Sequence, residues 1–102
     1  MRPDSKRPLA LRVGGNVNAP VIEHRLEPDF SRCLGPCDGV EMVEVLVRSD
    51  GAVGDVYIPM PINTCIDDSV RSALRQWRFQ PATLHGGPVD VLFNVTVRIN
   101  FA

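Results

Sequence analysis

The feature that most constrains this chain is a regular alternation of apolar and polar side chains near its C-terminal end. From residue 89 to residue 101 every second residue is Val, Phe or Ile, and the residues between them are mostly polar. A period of two is typical of a β-strand with one buried face and one solvent-exposed face. The sequence therefore predicts one long strand here. Because this length exceeds the usual range, we expect part of the strand to extend beyond its partner.

A β-hairpin is predicted earlier in the chain. Alternation over residues 40–48 indicates its first strand, and residues 52–58 indicate the return strand. Gly51 lies in the turn between them, where glycine readily adopts the positive φ that a tight turn requires. Pro59 and Pro61 end the return strand, which is typical of a strand at a sheet edge.

One amphipathic helix is predicted between the hairpin and the last strand. Its apolar stripe at helical spacing consists of Ile66, Val70, Ala73, Leu74 and Trp77. Thr64 and Asp67 have the spacing of a capping box, which marks the helix start. We expect the helix to run to about Trp77, and residues 80–88 to form a loop.

The element order β-β-α-β predicts an α+β, two-layer domain. We expect an antiparallel three-stranded sheet with one main helix packed on one face. The last strand should pair with residues 40–48, which leaves residues 52–58 and the last strand at the two edges. A sheet edge carries unpaired amides and carbonyls, to which another extended chain can add.

Length and charge restrict the class of protein further. The chain has 102 residues, which fits one domain. We interpret residues 1–12 as a flexible basic arm and residues 13–102 as the domain. With 11 Lys and Arg against 12 Asp and Glu the formal net charge is -1, which argues against nucleic acid as a partner. No apolar run approaches the roughly 18 residues of a membrane helix, and we expect no secretory signal at the N-terminus.

Catalytic and metal-binding patterns are not found in the sequence. The histidines, His24 and His85, are far apart, and the spacing of Cys33 and Cys37 fits neither a CxxC redox motif nor a usual zinc half-site. No nucleophile–base pair or phosphate-binding loop occurs. We therefore predict a protein that is not an enzyme, with no metal and no cofactor.

The three cysteines leave the disulfide pairing open. Cys37 precedes the first hairpin strand and Cys65 follows the second, so both lie at the same end of the hairpin. A Cys37–Cys65 or a Cys33–Cys65 bridge is therefore compatible with the predicted fold. The turn-forming residues 34–36 also allow Cys33–Cys37, although we favour the first two pairings. Three unbridged thiols are the alternative in a reducing compartment.

Four short motifs occur in the order and at the spacing of a known family. They are Gly51-x-Val53-x-x-Val56, Ile66-Asp67 at a helix start, Trp77-Arg78-Phe79-x-Pro81-Ala82, and Gly87-Pro88-Val89. In series they resemble the C-terminal domain of TonB-type energy transducers. Pro28-x-Phe30 resembles a motif near the start of that domain, and residues 11–20 resemble the segment that precedes it, so the resemblance covers residues 11–102. It implies that the packing residues of the family motif are Phe30, Trp77, Arg78, Phe79 and Pro81.

The resemblance also implies a function. Such domains are periplasmic parts of inner-membrane-anchored proteins in Gram-negative bacteria. They bind the TonB box, an extended segment of an outer-membrane TonB-dependent transporter, by β-strand addition. They then transmit force from an inner-membrane proton-channel complex that acts as the motor. The family binds its partner with the last strand, which corresponds here to Val89, Asp90, Val91, Leu92, Phe93, Asn94, Val95, Thr96, Val97 and Arg98.

The same sheet edge also suggests an alternative function. A second copy of the chain could pair with it, which would make the protein an envelope assembly module that forms a homodimer. A dimer that is sensitive to reductant would favour this alternative.

Overall fold

In a computed structural model, residues 10–33 and 39–99 are described, and they form strands and one helix. In chain order the elements are β1 (Leu11–Arg12), β2 (Val17–Asn18), β3 (Val21–His24), β4 (Gly39–Val47), β5 (Val53–Tyr57), α1 (Thr64–Leu74), β6 (Arg78–Gln80), β7 (Ala82–Leu84), β8 (Gly87–Val89) and β9 (Val91–Ile99). The predicted α+β class with one main helix is confirmed for these residues.

The main sheet has four strands in the order β1-β9-β4-β5. β9 pairs with β4, and β4 with β5, in antiparallel fashion, as the sequence predicted. β1 pairs with β9 in parallel, through Leu11 with Val91 and Arg12 with Leu92. The predicted three-stranded antiparallel sheet is therefore wrong by one strand. A strand of 2 residues carries no alternation that a sequence could show, which is why β1 was missed.

β1 also bears on the predicted N-terminal arm. Leu11 and Arg12, the last two residues assigned to the arm, lie in the main sheet. Residues 1–9 lie outside the described part of the chain. The division into an arm over residues 1–12 and a domain over residues 13–102 stays a prediction.

The core lies between α1 and one face of the main sheet. Every second residue of β4 and β9 points toward the helix, because side chains of a strand alternate between its faces. The buried apolar side chains that these two strands direct toward the helix are Val43, Val45, Val47, Val91, Val95, Val97 and Ile99. The predicted helical stripe meets them with Ile66, Val70, Ala73, Leu74 and Trp77, all of which are buried.

The ends of the helix differ from the prediction. The N-cap is Asn63, whose side-chain oxygen accepts a hydrogen bond from the Ile66 amide at 2.9 Å. Thr64 is thus the first helical residue and not the cap. Asp67 does reach back across the helix start, but it accepts from the Ile62 amide at 3.1 Å. The helix ends at Leu74, before Trp77, and Arg75 is its C-cap.

Short strands surround the main sheet. β2, β7 and β8 form one small sheet, and β3 pairs with β6 in another. The loop predicted over residues 80–88 is therefore wrong, since it contains the β7–β8 hairpin. The hairpin turns at His85 and Gly86, both of which have positive φ. Strands of 3 residues are too short for the alternation that reveals a strand in sequence.

The structure joins Cys33 to Cys65 by a disulfide, with 5.6 Å between their Cα atoms. This is one of the three pairings that the sequence left open. The bridge links the segment before β4 to the first turn of α1. Cys37 lies outside the described residues. Within those residues, no helix is both long enough and apolar enough to span a membrane.

Replacing Gly51 by Ala is expected to destabilise the domain by at least about 2 kcal/mol, or roughly 10 °C in Tm. Gly51 has a φ of +87°, and a Cβ there would overlap the backbone carbonyl oxygen of Phe79. Gly86 offers a matched control, because its φ is +84° and a Cβ added there would have nothing within 4 Å. Thermal unfolding should show a clearly smaller loss for Gly86→Ala. Equal losses would mean that strain alone, and not contact with Phe79, requires glycine at position 51.

Candidate functional site

β9 is the central strand of the candidate site, and its two edges are covered very unequally. Along one edge β4 pairs with it over its whole length, from Gly39 opposite Ile99 to Val47 opposite Val91. Along the other edge β1 pairs with only Val91 and Leu92. Among the described residues, the outer edge of β9 therefore has no partner strand from residue 93 to residue 99. We call this segment the free edge.

The direction of the backbone groups along the free edge follows from one hydrogen bond. The Leu11 amide donates to the Asp90 carbonyl at 3.4 Å, so the carbonyl of Asp90 points outward toward β1. Backbone groups of successive strand residues point alternately to the two sides of the strand. The residues whose amides and carbonyls face outward are therefore Leu92, Asn94, Thr96 and Arg98.

The side chains of β9 hold it in place while its backbone stays accessible. Val95, Val97 and Ile99 are buried against the helix, and each of them has its backbone groups directed toward β4. Asn94, Thr96 and Arg98 have exposed side chains on the opposite face of the sheet. The free edge thus combines an anchored strand with outward-facing hydrogen-bonding groups, which is the requirement for adding another strand.

An ion pair across β9 secures β1. The Arg12 guanidinium lies 2.7 Å from the Glu44 carboxylate of β4, so the Arg12 side chain spans β9 on the sheet face opposite the helix. The Glu44 side chain is only 8% exposed, whereas that of Arg12 is 54% exposed. Partial burial strengthens such a pair relative to a fully solvated one.

A cleft of about 220 Å³ marks the point at which β1 ends and the free edge begins. It is lined by Arg12, Val13, Leu92, Phe93 and Asn94. Val13 contributes exposed apolar surface next to the cleft. A side chain of a strand added beyond β1 would enter this cleft first.

The structure places the predicted binding residues in two elements and not in one. Val89 belongs to β8, where it pairs with Ala82. Asp90 lies between the strands, and its carboxylate accepts from the Ser49 amide at 2.7 Å. The predicted strand over residues 89–101 is therefore wrong at its start, because the β7–β8 hairpin takes up Val89. β9 also does not outrun its partner within the described residues, and residues 100 and 101 lie outside them.

The family-motif residues lie beneath this site. Trp77 and Phe79 are buried, and the Trp77 indole NH donates to the Leu26 carbonyl at 2.8 Å. The Phe79 ring meets the Phe93 ring of β9 edge to face, with 6.0 Å between ring centroids. Aromatic pairs in this geometry add to simple burial. The motif thus supports the strand that carries the free edge.

The remaining motif residues occupy the border of the core. Phe30 is buried, Pro81 is half-buried and Arg78 is exposed. The Arg78 guanidinium donates to the Trp77 carbonyl at 3.0 Å. Phe30 therefore contributes to the core that supports the site, and Arg78 lies at its surface.

Sequence reasoning missed one ionisable group near the site. Glu41 of β4 lies opposite Val97, and its side chain points into the core next to Asp67 of α1. Burial and the neighbouring Asp67 raise the pKa of Glu41 to about 7. Its position in the sequence could have revealed it. Glu41 lies two residues before Val43 in the same strand, so both side chains face the helix.

Two comparisons with known proteins bear on the family. A search of curated proteins finds no match. A family model described as the C-terminal domain of the Gram-negative bacterial TonB protein matches residues 36–102, which is more than half of the chain. The match spans β4, β5, α1 and β9, the elements that carry the core and the free edge. The chain belongs to the TonB C-terminal family.

Proposed function

We propose that this domain binds an extended segment, the TonB box, of an outer-membrane transporter by β-strand addition. It would then transmit force from an inner-membrane, proton-driven motor to that transporter. The family itself is non-enzymatic, related to transport and periplasmic in Gram-negative bacteria. The partner and the mode of binding are our proposal.

The observation that carries this proposal is the free edge of β9. Outward-facing backbone groups at Asn94, Thr96 and Arg98 can pair with a guest strand, because β1 stops at the level of Leu92. Main-chain hydrogen bonds of this kind give affinity without demanding particular guest side chains. The guest has to be ordered on binding, so the affinity should be modest, in about the micromolar range.

The end of β1 also limits where the guest can lie. A strand that pairs with residues 93–99 meets Arg12 and Val13 at one end, so guest and β1 would lie end to end along β9. The cleft at this junction can accept one guest side chain and thereby fix the register. Arg98, at the other end, offers an exposed positive charge to an acidic guest residue.

Replacing Thr96 by Pro is expected to weaken peptide binding by at least about tenfold. Proline removes the outward-facing amide of residue 96 and leaves the pairing with β4 intact, because that amide does not point toward β4. Thr96→Ala is the matched control, since it removes the side chain and keeps the amide. Affinity is measured by NMR titration with synthetic peptides from the N-terminal plugs of outer-membrane transporters of the same organism.

The outcomes separate the proposal from its alternative. Shifts concentrated on residues 93–98 in the native protein, lost in Thr96→Pro and kept in Thr96→Ala, support strand addition. Unchanged affinity in Thr96→Pro, with an intact circular dichroism spectrum, contradicts it. If no peptide binds and sedimentation shows a dimer whose same amides are protected from exchange, the assembly module becomes the better account.

A further inference from the structure

Two buried carboxyl groups face each other at the end of the domain that carries the disulfide. Glu41 of β4 is 2% exposed and Asp67 of α1 is 7% exposed. Among the described residues, neither carboxylate oxygen of Glu41 accepts a hydrogen bond of good geometry. Ionised carboxylates only accept hydrogen bonds, so two of them in contact leave both groups without a donor between them. Such an arrangement is costly in a core unless a proton is present.

The charges around Glu41 do not offset this cost. From α1, Asp67 and the half-buried Arg71 face it, and Arg71 also pairs with the exposed Asp68 at 3.3 Å. From β9, the residues on the same face at this end of the sheet are the apolar Val95, Val97 and Ile99. From β4 the next residue on this face is Val43. Among the described residues, the partly solvated Arg71 is therefore the cation that acts on Glu41.

The titration of Glu41 agrees with this geometry. Burial is the largest cause that raises its pKa, followed by the neighbouring Asp67 carboxyl group. The charge of Arg71 and the nearby Ile62 amide, which donates to Asp67, lower it by less, and the pKa of Glu41 rises to about 7.

We propose that Glu41 and Asp67 share one proton across the contact between β4 and α1, and that loss of this proton to solvent loosens this end of the domain. The protonated pair contains one O–H donor, which gives the Glu41 carboxyl group the hydrogen bond that it otherwise lacks. The deprotonated pair has two adjacent negative charges between a strand and a helix. The pair therefore acts as a pH-sensitive lock on the pairing of β4 with β9 around Val97.

The direction of the pH effect follows from the pKa of Glu41. Its folded value, about 7, lies above the ordinary value of 4.5, so the native state holds the proton more tightly than the unfolded state. The stabilising contribution is complete below the pKa that Glu41 has in the unfolded state. It is lost as the pH rises through the pKa that Glu41 has in the folded state. The native protein should therefore unfold more easily at about pH 8 than at about pH 5, by roughly 5 °C or more in Tm.

Glu41→Gln tests the lock directly. The glutamine amide is nearly isosteric with the carboxyl group and donates a hydrogen bond to Asp67 at every pH. The Tm of this variant should therefore vary little between about pH 5 and about pH 8, and it should exceed that of the native protein at about pH 8. Asp68→Asn is the matched control. It removes one negative charge from the neighbouring residue of the same helix turn, on an exposed side chain, and should keep the native pH dependence.

Carbon-13 NMR titration of the carboxyl groups gives a second readout that does not depend on variants. The Glu41 signal should move with a midpoint near neutrality in the native protein. In Asp67→Asn the midpoint should move to lower pH. A Glu41 midpoint in the ordinary range of free glutamate, or a native Tm with the same pH dependence as that of Glu41→Gln, overturns the proposal.

The lock also regulates the free edge, and this extension rests on the proposed function. Glu41 pairs with Val97, whose neighbours Thr96 and Arg98 present backbone groups to the guest. The native protein should bind the transporter peptide several-fold more weakly at about pH 8 than at about pH 6, whereas Glu41→Gln should bind equally at both. Equal binding by the native protein rejects this regulation alone. Absence of binding at both values rejects the proposed function and leaves the stability and NMR tests standing.

Discussion

Trp77→Ala is expected to lower the free energy of unfolding by about 3–5 kcal/mol, the largest of the stability effects expected for this domain. The Trp77 side chain is 2% exposed and packs in the core next to Phe79, with 6.3 Å between ring centroids. Its removal leaves a large cavity and leaves the Leu26 carbonyl without the indole donor. A domain of this size has roughly 5–15 kcal/mol of stability in total, so the variant should be marginal.

Trp77→Phe separates the two contributions to this effect. It keeps an aromatic ring in the core and removes the indole NH, so its cost should be about 1–2 kcal/mol. Urea unfolding followed by circular dichroism measures the free energy of unfolding of both variants. The slope of this free energy against urea concentration should stay constant among the proteins compared. A loss below about 1 kcal/mol for Trp77→Ala would contradict the packing seen in the structure. Such a result would also contradict the inference that Trp77 and Phe79 support β9 through the Phe93 ring.

Removing the Cys33–Cys65 bridge is expected to destabilise the domain by about 3–4 kcal/mol. The two residues are separated by 32 positions, and closing a loop of this size removes considerable entropy from the unfolded chain. The double variant Cys33→Ser with Cys65→Ser measures the effect without reductant. Thermal unfolding of the native protein with and without dithiothreitol provides an independent comparison.

Cys37→Ser is the control for the disulfide. It removes a thiol and leaves the bridge intact, so it should unfold like the native protein and keep its sensitivity to reductant. If Cys37→Ser loses that sensitivity while Cys33→Ser retains it, then the bridge joins Cys37 to Cys65 instead. Mass spectrometry of non-reduced proteolytic fragments identifies the pairing in each variant.

The elements that sequence reasoning predicted correctly are those with a strong periodic signal. Residues 40–48 and the C-terminal segment alternate for long enough to indicate strands, and the stripe from Ile66 to Trp77 indicates a helix. Gly51 marked the hairpin turn, and its φ of +87° in the structure explains why glycine occurs there. Local chemistry therefore determined the order of the main elements and most of the core.

What could not be predicted depends on contacts between distant residues. β1 consists of 2 residues, and its pairing with β9 is parallel and joins opposite ends of the chain. Asn63 and Thr64 are both good capping residues, so the sequence gives no basis for choosing between them. The position of Glu41 in the core could be read from strand parity, but its proximity to Asp67 depends on how the helix crosses the sheet. The sequence predicted that the last strand lies at a sheet edge. It did not show that this edge is free only from residue 93, because that depends on the pairing of β1 with Val91 and Leu92.

The attachment of β1 to β9 has a mechanical consequence. A pull on the chain before Leu11 enters the sheet through β1 and is applied to β9 at Val91 and Leu92. A guest on residues 93–99 would grip the same strand a short distance further along. Tension between the two ends would then run lengthwise through β9, so the hydrogen bonds that join β9 to β1 and to the guest would be loaded in shear and would not open one after another. The Arg12–Glu44 ion pair adds a contact between β1 and β4 beside this path. Nine registered residue pairs with β4 would meanwhile hold β9 in the sheet.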